Sequence, residues 1–241
     1  MSFQMAAYER VILKVSGESL RGTDGAPVSS DRAAWLAGEV QGATAAGVEV
    51  GVVIGGGNIT RGAVAAGGGS DRVTADGMGM LGTVINALAL RLALEEQGQR
   101  AVVMTAVPMG SIAEPFDARR ARALLADGTV VMFAGGTGNP YFSTDTAAAL
   151  RAAEVGAHVL LKGTKADGVY DADPATNPDA RRFNEIGFSE VLERRLGVMD
   201  MTAFSLCRDN GLPIVVFDLF QNGNIRRVVE GETIGTLVKE V

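Results

Sequence analysis

Lys14, Arg61 and Lys162, with Lys165 close behind, are the side chains whose setting could do chemistry. Lys14 lies in the apolar run Val11-Ile12-Leu13-Lys14-Val15 and is followed by Ser16-Gly17. Lys162 ends the apolar run 157–162 and is followed by Gly163. Arg61 comes just after Gly55-Gly56-Gly57-Asn58. A further glycine-rich stretch, Gly135-Gly136-Thr137-Gly138-Asn139, follows the apolar run 130–134 and leads through Ser143 and Thr144 into Asp145 and an alanine-rich segment. Strand, glycine-rich loop and helix start together present backbone N–H groups and a partial positive charge to an anion. Any one of these loops is also what an ordinary βα turn looks like, and any one of these cations is also what a solvated surface charge looks like. Three small-residue loops at one edge of a sheet, with cations converging on them, suggest a cleft for several phosphates.

The elements that must position these residues alternate along the chain. Strands are expected at 11–15, 48–54, 101–107, 130–134, 157–162 and 213–219, with 236–239 as an edge strand. Helices are expected from Asp31, as N-cap, to about Gly47, from Gly77 to Gln97, from Asp117 to Asp127, after Ser143 or Thr144 as N-cap, around Glu190, over 201–209 and over 225–229. The loop through Arg61 and Gly62 to Gly67-Gly68-Gly69 is long and glycine-rich, as functional or mobile loops are. In the 77–97 helix Leu81, Val84, Ile85, Leu88 and Leu92 form an apolar stripe, and Met80, Ala87, Leu90 and Leu94 widen it. Such a helix is either a central core element or one covered by a second subunit, and the second reading is favoured. The alternation predicts an α/β fold with a mainly parallel central sheet and helices on both faces. Ligand sites then belong at the carboxyl ends of the strands.

Other chemistries are excluded or disfavoured. The 241 residues carry a net charge of −6, which argues against a general nucleic-acid binder. A single cysteine, Cys207, rules out an intramolecular disulfide and fits a reducing compartment. No signal peptide and no run approaching about 18 apolar residues is visible, so a cytoplasmic protein without a membrane segment is expected. No Gly-Lys-Ser or Gly-Lys-Thr occurs, so the common P-loop is absent. Gly77-Met78-Gly79-Met80-Leu81-Gly82 spells a dinucleotide fingerprint, but polar residues 71–76 precede it where a strand is required, and we treat it as chance. His158, the lone histidine, heads a strand away from the loops and reads as structural. Asp167, Asp171 and Asp173 miss EF-hand spacing and read as turn formers; no metal ligand set is assigned. Arg119, Arg120 and Arg122 read as a solvated face.

Taken together, Lys14-Val15-Ser16-Gly17-Glu18, Gly55-Gly56-Gly57-Asn58 with Arg61-Gly62, Asp76 before Met78-Gly79-Met80, Gly136-Thr137-Gly138-Asn139-Pro140-Tyr141-Phe142, and 164–170 with Asp173-Pro174 resemble the bacterial UMP kinases of the amino acid kinase superfamily. The match runs in order from Tyr8 to Lys239. The resemblance implies a single amino acid kinase domain over 1–241, with an acceptor-side lobe at about 8–156 and an ATP-side lobe at about 157–241, arranged as a three-layer sandwich. It implies transfer of the ATP γ-phosphoryl group to UMP, with Mg²⁺ carried by ATP. Lys14, Gly17, Gly57 and Arg61 match ATP phosphate contacts, Val15 and Ser16 belong to the same ATP-binding set, and Thr164, Tyr170 and Asp173 match the ATP nucleoside pocket. Gly56, Asp76 and the loop Thr137, Gly138, Asn139, Pro140, Tyr141, Phe142, Ser143, Thr144 match the UMP site, Asp76 through the ribose hydroxyls. Asp145 matches the acid that orients the cations, and Lys14, Arg61, Asp145 and Lys162 are the catalytic candidates. Ser143 and Tyr170 are conservative variants of the family pattern.

The chemistry agrees. A phosphate acceptor is already anionic, so no general base is needed, and the task is to position two polyanions. The resemblance further implies a homohexamer and inhibition by UTP. The basic residues that some relatives use for GTP are not evident, since Glu95, Val102 and Thr129 stand there, which argues against GTP activation. Two rivals remain: a kinase of a carboxylate or carbamate acceptor, as in acetylglutamate kinases, and a nucleotide-sensing module without catalysis. Asp76 with 137–144 speaks against the first and the intact cation set against the second.

Overall fold

The computed structural model describes residues 6–60, 71–197 and 199–240. Arg61, Gly62 and the glycines at 67–69 lie outside the described residues. Six strands carry the central part of the sheet: β1 (Arg10–Val15), β2 (Glu49–Ile54), β3 (Ala101–Thr105), β5 (Val130–Ala134), β6 (Val159–Thr164) and β8 (Ile214–Asp218). Three short strands complete it: β4 (Glu114–Pro115), β7 (Glu185–Gly187) and β9 (Thr236–Lys239). The order is β4-β3-β5-β2-β1-β6-β8-β9-β7, and within it only the β8–β9 pairing is antiparallel. The chain starts in the middle at β1, builds outward through β2, and later returns to β1's other side with β6. The carboxyl ends of β1, β2, β5 and β6 therefore open along one edge, at a point where the strand order reverses.

The central strands β1, β2, β5 and β6 are buried on both faces, as parallel strands covered by helices must be. One face carries α1 (Ser30–Ala45), α2 (Arg72–Glu96) and α7 (Asn224–Val229) on Leu13, Val52, Met132 and Leu161. The other carries α3 (Ala118–Ala126), α4 (Thr144–Val155), α5 (Phe188–Glu193) and α6 (Met201–Asp209) on Ile12, Val53, Phe133 and Leu160. This is the expected three-layer arrangement.

Several local expectations need correction. Ser29, not Asp31, caps α1: its hydroxyl accepts from the Arg32 N–H, and Asp31 falls in the first turn, where an acid is favourable anyway. The 236–239 strand is not an edge strand, because Glu185–Gly187 pairs outside it. That segment and Glu114–Pro115 are too short to show a period of two. β6 begins two residues later than expected and runs to Thr164, so Lys162 stands inside the strand.

The largest correction concerns α2. It starts at Arg72, with Asp71 as N-cap accepting from the Val73 and Thr74 N–H groups, so the polar residues 72–76 are its first turns. The fingerprint-like glycines lie inside this helix and not in a strand–helix turn, as their dismissal required. The stripe also divides: Val84 is buried and Leu88 packs on the core, whereas Leu81, Ile85 and Leu92 are about half exposed. Contrary to expectation, among the described residues one helix, this one, is long and apolar enough by length and composition to cross a membrane, with mean hydropathy 1.5 over an 18-residue window. Its inner face meets the sheet through Val84, Ala87, Leu90 and Leu94, together with buried Thr83 and Asn86, which is the packing of a core helix.

Candidate active site

Side-chain alternation places the two central lysines. On β1 the residues Val11, Leu13 and Val15 face α1 and α2, so Ile12 and Lys14 face α4; on β6, Leu160 and Lys162 do the same. Lys14 and Lys162 are register partners on adjacent parallel strands. Both are only 8% exposed, a position a lysine seldom occupies without a partner. Helix α4 provides the partner. Ser143 caps it, accepting from the Asp145 and Thr146 N–H groups at 3.0 and 3.1 Å, and Gly156 closes it in the left-handed conformation. Asp145 in its first turn reaches down between the lysines. One carboxylate oxygen lies 2.5 Å from Lys14 Nζ, and the other accepts from Lys162 Nζ.

The electrostatics of this trio follow from burial and crowding. Burial alone would raise the Asp145 carboxyl, but the two ammonium groups outweigh it and hold it below its ordinary value. Burial, and next the neighbouring Lys14 charge, lower Lys162 to about 8, and Asp145 only partly offsets them. The trio thus carries one net positive charge on the floor of a cleft, with little solvent to screen it. That cleft, about 360 Å³, is walled by Ser16, Ser19, Gly163, Thr164, Lys165 and Phe220. The Ser16 hydroxyl caps the 3₁₀ turn Gly17–Leu20. Gly17 is required by close approach: a Cβ there would fall 2.1 Å from Asn58 Oδ1 and 2.3 Å from the Gly55 carbonyl oxygen.

A second cleft of about 490 Å³ opens on the α2 side, between the loops that follow β2 and β5. Gly56, Gly57, Asp76, Thr137, Asn139, Phe142 and Thr144 line it, together with Arg72, Met80, Thr83 and Gly136. The loop after β5 turns through positive φ at Gly135, Gly136 and Gly138, and again at Tyr141 with φ 72°, rare for a non-glycine residue. Asp76 anchors that turn from α2. One of its oxygens accepts from the Tyr141 N–H at 2.7 Å and from Arg72 Nε at 2.8 Å. Partial burial raises the Asp76 carboxyl, yet these donors prevail and hold it below its ordinary value. Tyr141 and Phe142 are more than half exposed at the rim. Across the loop, the Ser143 and Thr146 hydroxyls donate to Asp200, the N-cap of α6.

The two clefts meet at the start of α4, where Thr144 lines one and Asp145 grips the lysines of the other. The expected residues come together with few exceptions. Gly57, matched to the ATP phosphates by sequence, lines the second cleft beside Gly56 and not the cation-floored one. Arg61 lies outside the described residues. Tyr170 and Asp173 stand apart from the cation-floored cleft. Tyr170 donates to Asp167 at 2.7 Å, and the Asp173 carboxylate accepts from the Ala175 N–H. Asp167 also takes Arg182, and Asp171 accepts from the Arg181 N–H, so these aspartates build turns as expected. His158 Nδ1 accepts from the Glu9 and Arg10 N–H groups, a structural role at the far edge. Residues that sequence reasoning did not single out are Arg72, Thr83, Asn86 and Asp200. Arg72 and Asp76 are four apart, the spacing of a helical ion pair, which was the available signal.

A geometry of this kind, fixed cations beside a backbone-lined acceptor cleft, suits transfer between two anions. The model of the amino acid kinase family matches residues 9–218. The uridylate kinases of Brucella abortus and Brucella suis are each 51% identical over 234 residues, covering 97% of this chain and 98% of theirs. Among solved structures, UMP kinase from Bacillus anthracis superposes with a TM-score of 0.93 at 39% identity, covering 97% of this chain and 96% of that one. UMP kinase from Ureaplasma parvum gives 0.90 at 35% identity, covering 96% and 99%. With its sheet order, its paired lysines and these likenesses all in agreement, the chain belongs to the amino acid kinase family, on the uridylate kinase branch.

Proposed function

We propose that this chain transfers the γ-phosphoryl group of ATP to UMP, giving UDP and ADP. The observation that carries the reading is the Lys14–Asp145–Lys162 trio placed beside a separate cleft bearing Asp76 and the 135–144 loop. ATP phosphates lie over the trio, with Ser16, Gly17 and Thr164 around them; by resemblance Tyr170 and Asp173, which stand apart from that cleft, serve the nucleoside end, and Arg61 is a further cation candidate by sequence. UMP occupies the other cleft, its phosphate toward Thr144 and its ribose toward Asp76. The attacking atom is a phosphate oxygen that carries its own negative charge, so no side chain has to remove a proton. The lysines neutralise charge spreading over the transferred group, and Asp145 fixes them before substrate arrives, so little reorganisation is needed during transfer. Mg²⁺ enters on the ATP phosphates and adds charge neutralisation there; among the described residues no group of three or more potential ligands is assembled for it.

We further infer an acceptor-side lobe at about 8–156 and an ATP-side lobe at about 157–241, sharing one sheet. The exposed Leu81, Ile85 and Leu92 on α2 support a contact between subunits; a homohexamer, inhibition by UTP and a cytoplasmic setting rest on the resemblance. Glu95, Val102 and Thr129 themselves carry no cation, which speaks against activation by GTP, though Arg100 and Arg120 line the same hollow. The test is ADP release with UMP, CMP and N-acetylglutamate as acceptors, alongside direct detection of UDP. UMP is expected to be the preferred acceptor by a wide margin. Preference for N-acetylglutamate, or binding of both nucleotides without UDP formation in Mg²⁺, would overturn the reading.

A further inference from the structure

One face of α2 touches both glycine loops through Gly82, Thr83 and Asn86, of which Thr83 also borders the acceptor cleft. Thr83 is 3% exposed and Asn86 is fully buried, both unusual on so apolar a helix. The Thr83 hydroxyl donates to the Met80 carbonyl oxygen at 2.6 Å and accepts the Gly135 N–H at 2.8 Å. It thereby pins the first residue of the acceptor loop. One turn on, Asn86 Nδ2 donates to the Gly55 carbonyl oxygen and to Asn58 Oδ1, each at 2.7 Å. Asn58 Nδ2 donates back to Asn86 Oδ1 at 3.0 Å and to the Pro27 carbonyl oxygen at 2.7 Å. All four amide hydrogens of this buried pair are used, so the network has one arrangement.

Between these two clasps the helix backbone lies against the loop after β2. A Cβ on Gly82 would sit 3.0 Å from the Gly56 carbonyl oxygen and 3.3 Å from its Cα. A Cβ on Gly56 would sit 2.4 Å from the Gly79 carbonyl oxygen. This gives the fingerprint-like run Gly77–Gly82 a physical reason that has nothing to do with a dinucleotide: Gly82 is small so that the helix can seat against the loop.

We propose that Gly82, Thr83 and Asn86 are positioning residues for phosphoryl transfer. They form a rigid helix face that sets the separation between the loop after β2 and the loop after β5, and so the distance between the nucleotides those loops hold. This rests on the function proposed above. In-line transfer is sensitive to displacements of about 1 Å, which makes such a spacer matter for rate without contact to the reacting atoms.

Thr83→Val keeps the shape and removes the hydroxyl, leaving the buried Gly135 N–H without a partner. A loss of about tenfold or more in kcat/KM for UMP is expected, with KM for ATP within about twofold. Thr83→Ser, which can make both bonds, is expected to recover most of it. Gly82→Ala favours the helix but crowds Gly56, so the melting temperature is expected to hold or rise while turnover falls several-fold. Wild-type kinetics in Thr83→Val, or a Thr83→Ser no better than the valine variant, overturns the proposal. Should Thr83→Val fail to fold, Gly82→Ala decides alone: unchanged turnover overturns it. A wild-type protein that forms no UDP from UMP would instead break the functional reading on which the proposal stands.

Discussion

On the α2 side of the sheet edge, the 490 Å³ cleft is walled by glycine loops, hydroxyls and the exposed Arg72, with Asp76 stitched into the wall. On the β6 side, the 360 Å³ cleft has two lysines buried in adjacent strands and a carboxylate clamped between them. Both are suited to phosphates, but they do different things with charge. The first shapes a surface, and its Arg72–Asp76 pair is partly open to water, where screening leaves such a pair little energy. The second stores unscreened positive charge, which is costly to bury and is tolerated only because Asp145 lies within reach of both ammonium groups. Recognition can be built from backbone and hydroxyls; stabilising a highly charged transferring group requires cations that are already desolvated and fixed.

Removing the clamp should have the largest effect. Asp145→Asn leaves two buried ammonium groups facing each other, and removing one partner of a buried ion pair costs about 3–5 kcal/mol. We expect turnover to fall by roughly 10³-fold, with a clear drop in melting temperature. An active, fully stable variant would show that the carboxylate is not what holds the lysines. Lys14→Ala should cost roughly 10²-fold in turnover with the fold intact, since Lys162 and Asp145 then form a simple pair. Steady-state rates with circular dichroism as a folding check read this directly; activity within a few-fold of wild type would remove the lysine from the mechanism.

Asp76→Asn tests the other cleft and should separate the two. It weakens the Arg72 and Tyr141 bonds, and a rise in KM for UMP of about tenfold is expected, with kcat and KM for ATP changing little. If kcat fell as far as in Lys14→Ala, the division between a shaping cleft and a charge-bearing cleft would not stand.

The smallest effect is the pH dependence. Lys162, lowered to about 8, loses its charge as pH rises through that value, so turnover should decline above about pH 8 while Asp76→Asn keeps the same limb. Stability should run the other way. Between about 8 and its ordinary value of 10.5 the unfolded chain binds more protons than the folded one at this lysine, so its contribution to stability rises with pH across that window. Asp145 acts at the acid end: held below its ordinary value, it contributes stability that is present above 3.8 and lost as pH falls toward its folded value. Opposite slopes of rate and stability above pH 8, measured by kinetics and chemical denaturation, are the signature. A flat rate profile to pH 9.5 would mean that Lys162 stays charged or takes no part.

Much of this molecule was determined by its sequence alone. Apolar runs ending in small residues are enough to specify parallel strands with loops at one edge, because strand periodicity and right-handed crossovers leave few alternatives. Lys14 and Lys162 were legible because each stands at the end of an apolar run that leads into small residues and glycine, although β6 runs on past Lys162 to Thr164. The Ser143 cap, the turn-forming aspartates and the structural His158 were likewise local matters. The tertiary structure decided what depends on partners distant in the chain. That Asp145 bridges both lysines, that the 236–239 strand is interior, and that half of the apolar stripe on α2 faces outward follow from pairing and packing, which no window of sequence contains. Thr83, Asn86 and Gly82 are the clearest case. On a helix read by its apolar period, two polar residues and a glycine look like defects; only the loops packed against them show that each position is set by a bond or a contact more than twenty residues away.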